Sequence, residues 1–131
     1  MSTVKDNVHS PALSAARATA WMLAIAIVVL SLVPSGARPE TDLPHSLEHF
    51  LIFFLTGIAF GLGYGRRNLA LLATFLFLFA GAVEIAQLFD PGRHARISDF
   101  VIDALASWAG LICVLLGSEL WGRFKNSSGG T

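Results

Sequence analysis

The sequence predicts an all-α fold, a polytopic membrane bundle of four transmembrane helices with the N- and C-termini both on the cytoplasmic side. Three observations carry that expectation. Of the 131 residues, 54% are apolar and only 14% charged, against about 25% charged in an ordinary soluble domain. Four apolar stretches approach or reach the length needed to cross a bilayer. The basic residues flanking them are distributed unevenly between alternate loops, as orientation in a membrane requires.

Composition also excludes some functions. Nine Lys plus Arg balance nine Asp plus Glu, so the basic face that nucleic-acid binding requires is missing. The single cysteine, Cys113, rules out an internal disulfide framework and a cysteine-based zinc site. No motif calls for a cofactor or a metal.

Residues 1–17 read as a polar cytoplasmic tail and residues 122–131 as a flexible one, leaving 18–121 as the membrane domain. Span one is the 20-residue stretch between Arg17 and Arg38, free of ionisable side chains and long enough to cross. An alternative is a cleaved signal peptide ending near Ser35-Gly36-Ala37, although the apolar run exceeds the usual signal length. The later charge-free runs are shorter: Phe50–Gly65 and Asn68–Val83 have 16 residues each and Ala104–Ser118 has 15. At roughly 1.5 Å per residue, such runs cover only about 22–24 Å of a core about 30 Å thick.

Completing them to Ser46–Tyr64, Asn68–Phe89 and Ser98–Leu120 draws Glu48, His49, Glu84, Gln87 and Asp103 into the bilayer or to its edge. Ionisable groups there cost a few kcal/mol each, so they normally face the bundle interior and pair or serve a function. With Lys5, Arg17, Arg66, Arg67, Arg123 and Lys125 inside, only Arg38, Arg93 and Arg96 remain outside. This orientation puts the polar residues at the outer face.

Each polar residue has a structural reading beside a functional one. His45 and His49 are four apart and share a helix face, with Glu48 one turn from His45. The spacing suits a metal but lacks the remainder of an H-E-x-x-H motif, so an interfacial hydrogen-bonding pair is favoured. Glu84 and Gln87 share a face of span three, as a structural pair between helices or as ligand- or proton-handling groups. In the second outer loop, Asp90-Pro91-Gly92-Arg93-His94-Ala95-Arg96, Arg93 is the natural counter-ion of the acids or an anion clamp for phosphate or carboxylate. Ser98 or Asp99 suits the N-cap of span four, while Asp103, a turn deeper, begins a polar stripe that Ser107 continues. Gly57, Gly61 and Gly65, with Ala106 and Gly110, offer small-residue surfaces for close helix packing, within one chain rather than between copies. Trp121 suits an inner-interface anchor, and Phe75, Phe77 and Phe79 read as lipid-facing or packed bulk.

The series His49-Phe50, Glu84-x-x-Gln87, Pro91-Gly92-Arg93, Asp99 and Gly110 resembles the VanZ-like family over about residues 18–120. That family comprises small four-helix integral membrane proteins and is named for a member associated with resistance to the glycopeptide teicoplanin. The resemblance marks His49, Glu84, Gln87, Arg93 and Asp99 as family-core positions. The chain departs from the family's usual Asp-Lys before the histidine, having His45-Ser46, and has Asp103 where an Asn is common.

The resulting expectation is a cell-envelope accessory or antibiotic-resistance-related protein of the bacterial cytoplasmic membrane, with binding favoured over catalysis. It would bind a lipid- or peptide-linked envelope precursor, or a membrane protein partner, through the outer polar cluster. Two alternatives are an enzyme using Glu84 or His49 as acid or base on an envelope precursor and a small proton-coupled carrier.

Overall fold

Ser10 and Pro11 set where the chain first turns helical. The Ser10 hydroxyl accepts a hydrogen bond from the Leu13 N–H at 3.2 Å, and Pro11 occupies the opening turn, where its missing N–H costs nothing. In the computed structural model, which describes residues 10–37, 42–89 and 96–128, α1 therefore runs Pro11–Leu32. Arg17 lies on this helix, not in a tail before it. Extended Val33, followed by Pro34, ends it.

Helix α2 spans His45–Tyr64, with Glu48 in its first turn, where the exposed backbone N–H groups favour an acid. It stops at Gly65, whose φ of 60° lies in the left-handed region, a conformation a glycine adopts without a Cβ penalty. A short 3₁₀ turn, Gly65–Asn68, leads into α3, Leu69–Gln87. Helix α4 runs Ile97–Ser128, past the end at Leu120 that composition suggested and through most of the segment read as a flexible tail.

All four helices are long and apolar enough to cross a membrane, and the described residues contain no strand. The 20 residues of α2 and the 19 of α3 give lengths of about 30 and 28 Å, matched to the hydrocarbon core only because Glu48, His49, Glu84 and Gln87 are wound into them. The outward surface is apolar, with Met22, Ile25, Leu55, Leu71, Leu78, Leu105 and Leu116 exposed. A surface of that kind suits lipid, not water.

The bundle closes as a ring in which α2 packs against α1 and α4, and α3 against the same two helices. Side-chain size explains the order. Along the α2–α4 seam, a Cβ on Gly57 would overlap the Ser107 carbonyl oxygen, and one on Gly110 would overlap the Phe54 carbonyl oxygen and lie 2.9 Å from the Ile58 nitrogen. Only glycine lets the two backbones approach so closely. Gly61 continues the seam against Val114 and Leu111, whereas Gly65 has nothing near it and serves as the helix stop. The small-residue surfaces are thus used within the chain.

Across the ring, between α2 and α3, the residues are large. Phe60 meets Phe75 with ring centroids 5.3 Å apart, Phe53 meets Phe79 at 6.0 Å, and Trp21 of α1 closes on Phe60 at 5.4 Å. Of these rings Phe53 and Phe60 are buried, beside Leu72, Leu76 and Ala80, while Trp21 stays exposed. Phe77 points elsewhere, toward Phe100 and Trp108 on α4, and the Trp108 indole donates to the Ala73 carbonyl at 3.0 Å.

Candidate functional site

Antiparallel connectivity brings the end of α1, the start of α2, the end of α3 and the start of α4 to one end of the bundle. Each contributes a buried polar side chain: Ser31, His49, Glu84 with Gln87, and Asp103. These are the residues that ordinary partitioning would keep out of an apolar interior.

At the centre stands a histidine–aspartate pair. His49 Nδ1 lies 3.1 Å from both carboxyl oxygens of Asp103, the geometry of an Nδ1–H shared between two acceptors. Asp103 is fully buried and His49 only 9% exposed. The His49 ring also packs against Phe53, at 6.3 Å, and against the His45 ring, at 4.3 Å. A carboxyl group bonded to Nδ1 fixes the orientation and tautomer of the ring.

Glu84 ties α3 to the entrance of α4. Its Oε1 accepts a hydrogen bond from the backbone N–H of Arg96 at 2.6 Å. Its Oε2 is buried with no hydrogen-bond partner among the described residues. His49, Asp99 and Asp103 lie within electrostatic range of this carboxyl. Gln87, one turn on, donates through Nε2 to the Ser31 hydroxyl at 3.4 Å, linking α3 to α1.

The rim is looser. His45 is exposed and Glu48 half-buried, with His45 Nδ1 4.0 Å from a Glu48 oxygen. Asp99 is not the N-cap: the helix begins at Ile97, and the Arg96 carbonyl accepts from the Asp99 and Phe100 N–H groups. Asp99 instead occupies the first turn, 3.4 Å from the Ser98 hydroxyl, where the helix dipole favours an acid. Ser107 leaves the polar stripe as well. Its hydroxyl bonds the Ala104 carbonyl of its own helix at 2.9 Å, and its backbone abuts Gly57. Arg93 lies outside the described residues.

Two participants had little sequence signal. Ser31 is the one hydroxyl in the run Trp21–Val33, which is a usable hint of an interior partner. Arg96 enters through its backbone N–H, which no side-chain pattern reveals. Among the described residues no group of three or more His, Cys, Asp and Glu side chains is arranged to hold a metal ion. In comparison with known proteins, the chain matches no family model, no curated protein and no solved structure.

Proposed function

We propose that this chain is a VanZ-like accessory protein of the bacterial cytoplasmic membrane that binds a cell-envelope component through the polar cluster at one end of its bundle. The observation that carries the reading is the buried Glu84 Oε2 with no hydrogen-bond partner among the described residues. A buried acceptor left unsatisfied costs about 1–3 kcal/mol, and a cluster serving only to join helices gains nothing from it. A ligand bearing an ammonium or hydroxyl donor would remove that cost, which gives the cluster its selectivity. The resemblance to the VanZ-like family, with its association with glycopeptide resistance, supports an envelope precursor as the source of the donor.

The test is mass spectrometry of molecules co-purifying with the protein in mild detergent, set beside Glu84→Ala and Arg93→Ala. Loss of the same species from both variants is the expected result. An unchanged set of co-purifying molecules in both would refute ligand binding at this end.

The His49–Asp103 geometry favours a second reading, an enzyme in which His49, held by Asp103, moves a proton on a bound precursor. Conversion of an envelope precursor by the purified protein, lost in His49→Gln, would select this reading over binding alone.

In the proposed orientation both termini and the Arg66-Arg67 turn face the cytoplasm and the cluster faces outward. The excess of basic residues on that side supports it. Reporter fusions at Arg67 and His94 should therefore give opposite signals, and matching signals would rule the orientation out.

A further inference from the structure

We propose that a cleft at the opposite end of the bundle is a binding site for an anionic phospholipid, with its phosphate on Arg17 and the upper part of an acyl chain against Trp21, Phe60 and Phe75. The cleft has a volume of about 410 Å³ and is lined by Arg17, Trp21, Phe60, Tyr64, Leu71 and Phe75, among others. It exists because the aromatic side chains hold α2 and α3 apart where α1 begins, whereas glycine draws α2 onto α4 on the other side.

Arg17 is set in place before any ligand arrives. Its Nε donates to the Gly63 carbonyl at 2.8 Å, one of the acceptors left free where α2 ends. Its guanidinium carbon lies 5.1 Å from the centre of the Tyr64 ring, a cation–π distance. Tyr64 is fixed in turn, accepting at its hydroxyl from the Trp21 indole N–H at 2.8 Å. Among the described residues the Nη groups of Arg17 make no hydrogen bond, so they remain available as the paired donors that suit a phosphate.

Charge and surface fix the class of occupant. This end carries Lys5, Arg17, Arg66, Arg67, Arg123 and Lys125 in sequence, against two acids, Asp6 and Glu119. A half-buried arginine at the mouth of an aromatic cleft, on a bundle whose outer surface is apolar, matches a molecule with an anionic head and an apolar tail. Trp and Tyr at such a level are side chains that sit well at the headgroup boundary. A free phosphate ester offers the same head chemistry without the tail, and the experiment separates the two.

Native mass spectrometry of the full chain, titrated with equal concentrations of phosphatidylglycerol and phosphatidylcholine of identical acyl chains, reads the site directly. The phosphatidylglycerol adduct should exceed the phosphatidylcholine adduct by about fivefold, the effect of one basic residue near an anionic lipid. Arg17→Gln should bring the ratio close to one. Leu71→Phe, at a position 67% exposed on the cleft wall, should weaken the phosphatidylglycerol adduct by filling the space, with circular dichroism reporting that both variants fold. If Arg17→Gln fails to fold, the Leu71→Phe adduct decides. Equal adducts in the unaltered protein, a full preference retained by Arg17→Gln, or an undiminished adduct in Leu71→Phe would each overturn the proposal. So would displacement of the lipid by an equal concentration of glycerol 3-phosphate, because the tail would then contribute nothing.

Discussion

Gly110→Ala should unfold or severely loosen the bundle, with a loss of about 3 kcal/mol or more, at the upper end of what overpacking costs. The added methyl would meet the Phe54 carbonyl oxygen and the Ile58 nitrogen. Both are backbone atoms in the middle of a helix, so no side chain can swing aside. Relief requires α2 and α4 to separate along their length, which also parts His49 from Asp103. Gly57→Ala should act similarly through the Ser107 carbonyl. The double variant should cost less than the two single losses combined, since one helix displacement relieves both clashes. By contrast, Gly117→Ala, which meets nothing within 4 Å, should leave stability unchanged within about 0.5 kcal/mol. Thermal unfolding in detergent, followed by circular dichroism, measures all four. A Gly110→Ala protein melting with the parent would mean that α2 and α4 are not in backbone contact.

Asp103→Leu is expected to be the second large loss. Removing one member of a buried, hydrogen-bonded pair typically costs about 3–5 kcal/mol, because the remaining polar group stays in place without its partner. Polar pairs between membrane helices often measure nearer 0.6 kcal/mol, because the unfolded helices find other partners in the bilayer. Full burial of Asp103 favours a value of about 3 kcal/mol here. Asp103→Asn keeps an acceptor for the His49 Nδ1–H and should cost about 1 kcal/mol, the size of one ordinary hydrogen bond. His49→Phe combined with Asp103→Leu should recover part of the single-variant loss, since neither polar group is then left behind. Strict additivity in this cycle would show that the two side chains do not interact.

Much of the fold was legible because a bilayer imposes a length. Runs of 15 and 16 apolar residues are too short to cross, so the flanking His49, Glu84, Gln87 and Asp103 had to be wound into helices, and they are. Which of them meet was not legible. Pairing depends on the rotation of each helix, and rotation is set by the Gly57–Gly110 seam, whose two halves lie on different helices and acquire meaning only once opposed. The phenylalanines of α3 show the same limit: Phe75 and Phe79 turn inward to α2 while Phe77 faces α4, a division that composition alone does not assign. Helix ends were read less well than helix middles. Pro11 and Ser10 start α1 before Arg17, and α4 outruns its apolar stretch to Ser128 because its later residues include helix formers such as Glu119, Leu120, Arg123 and Lys125.

The order of the ring bears on biosynthesis. Helix α2 finds its closest partner not in a neighbour along the chain but in α4, two helices further on. Roughly 50 residues separate Gly57 from Gly110, or about 3–10 s of translation at cellular rates. Through that interval the first three helices can enter the membrane and their aromatic rings can gather, while the glycine surface of α2 faces lipid and His49 awaits Asp103. Helix insertion and bundle locking are therefore separate events in time. A ribosome stalled before codon 103 would leave a membrane-inserted chain that a site-specific protease distinguishes from the finished protein.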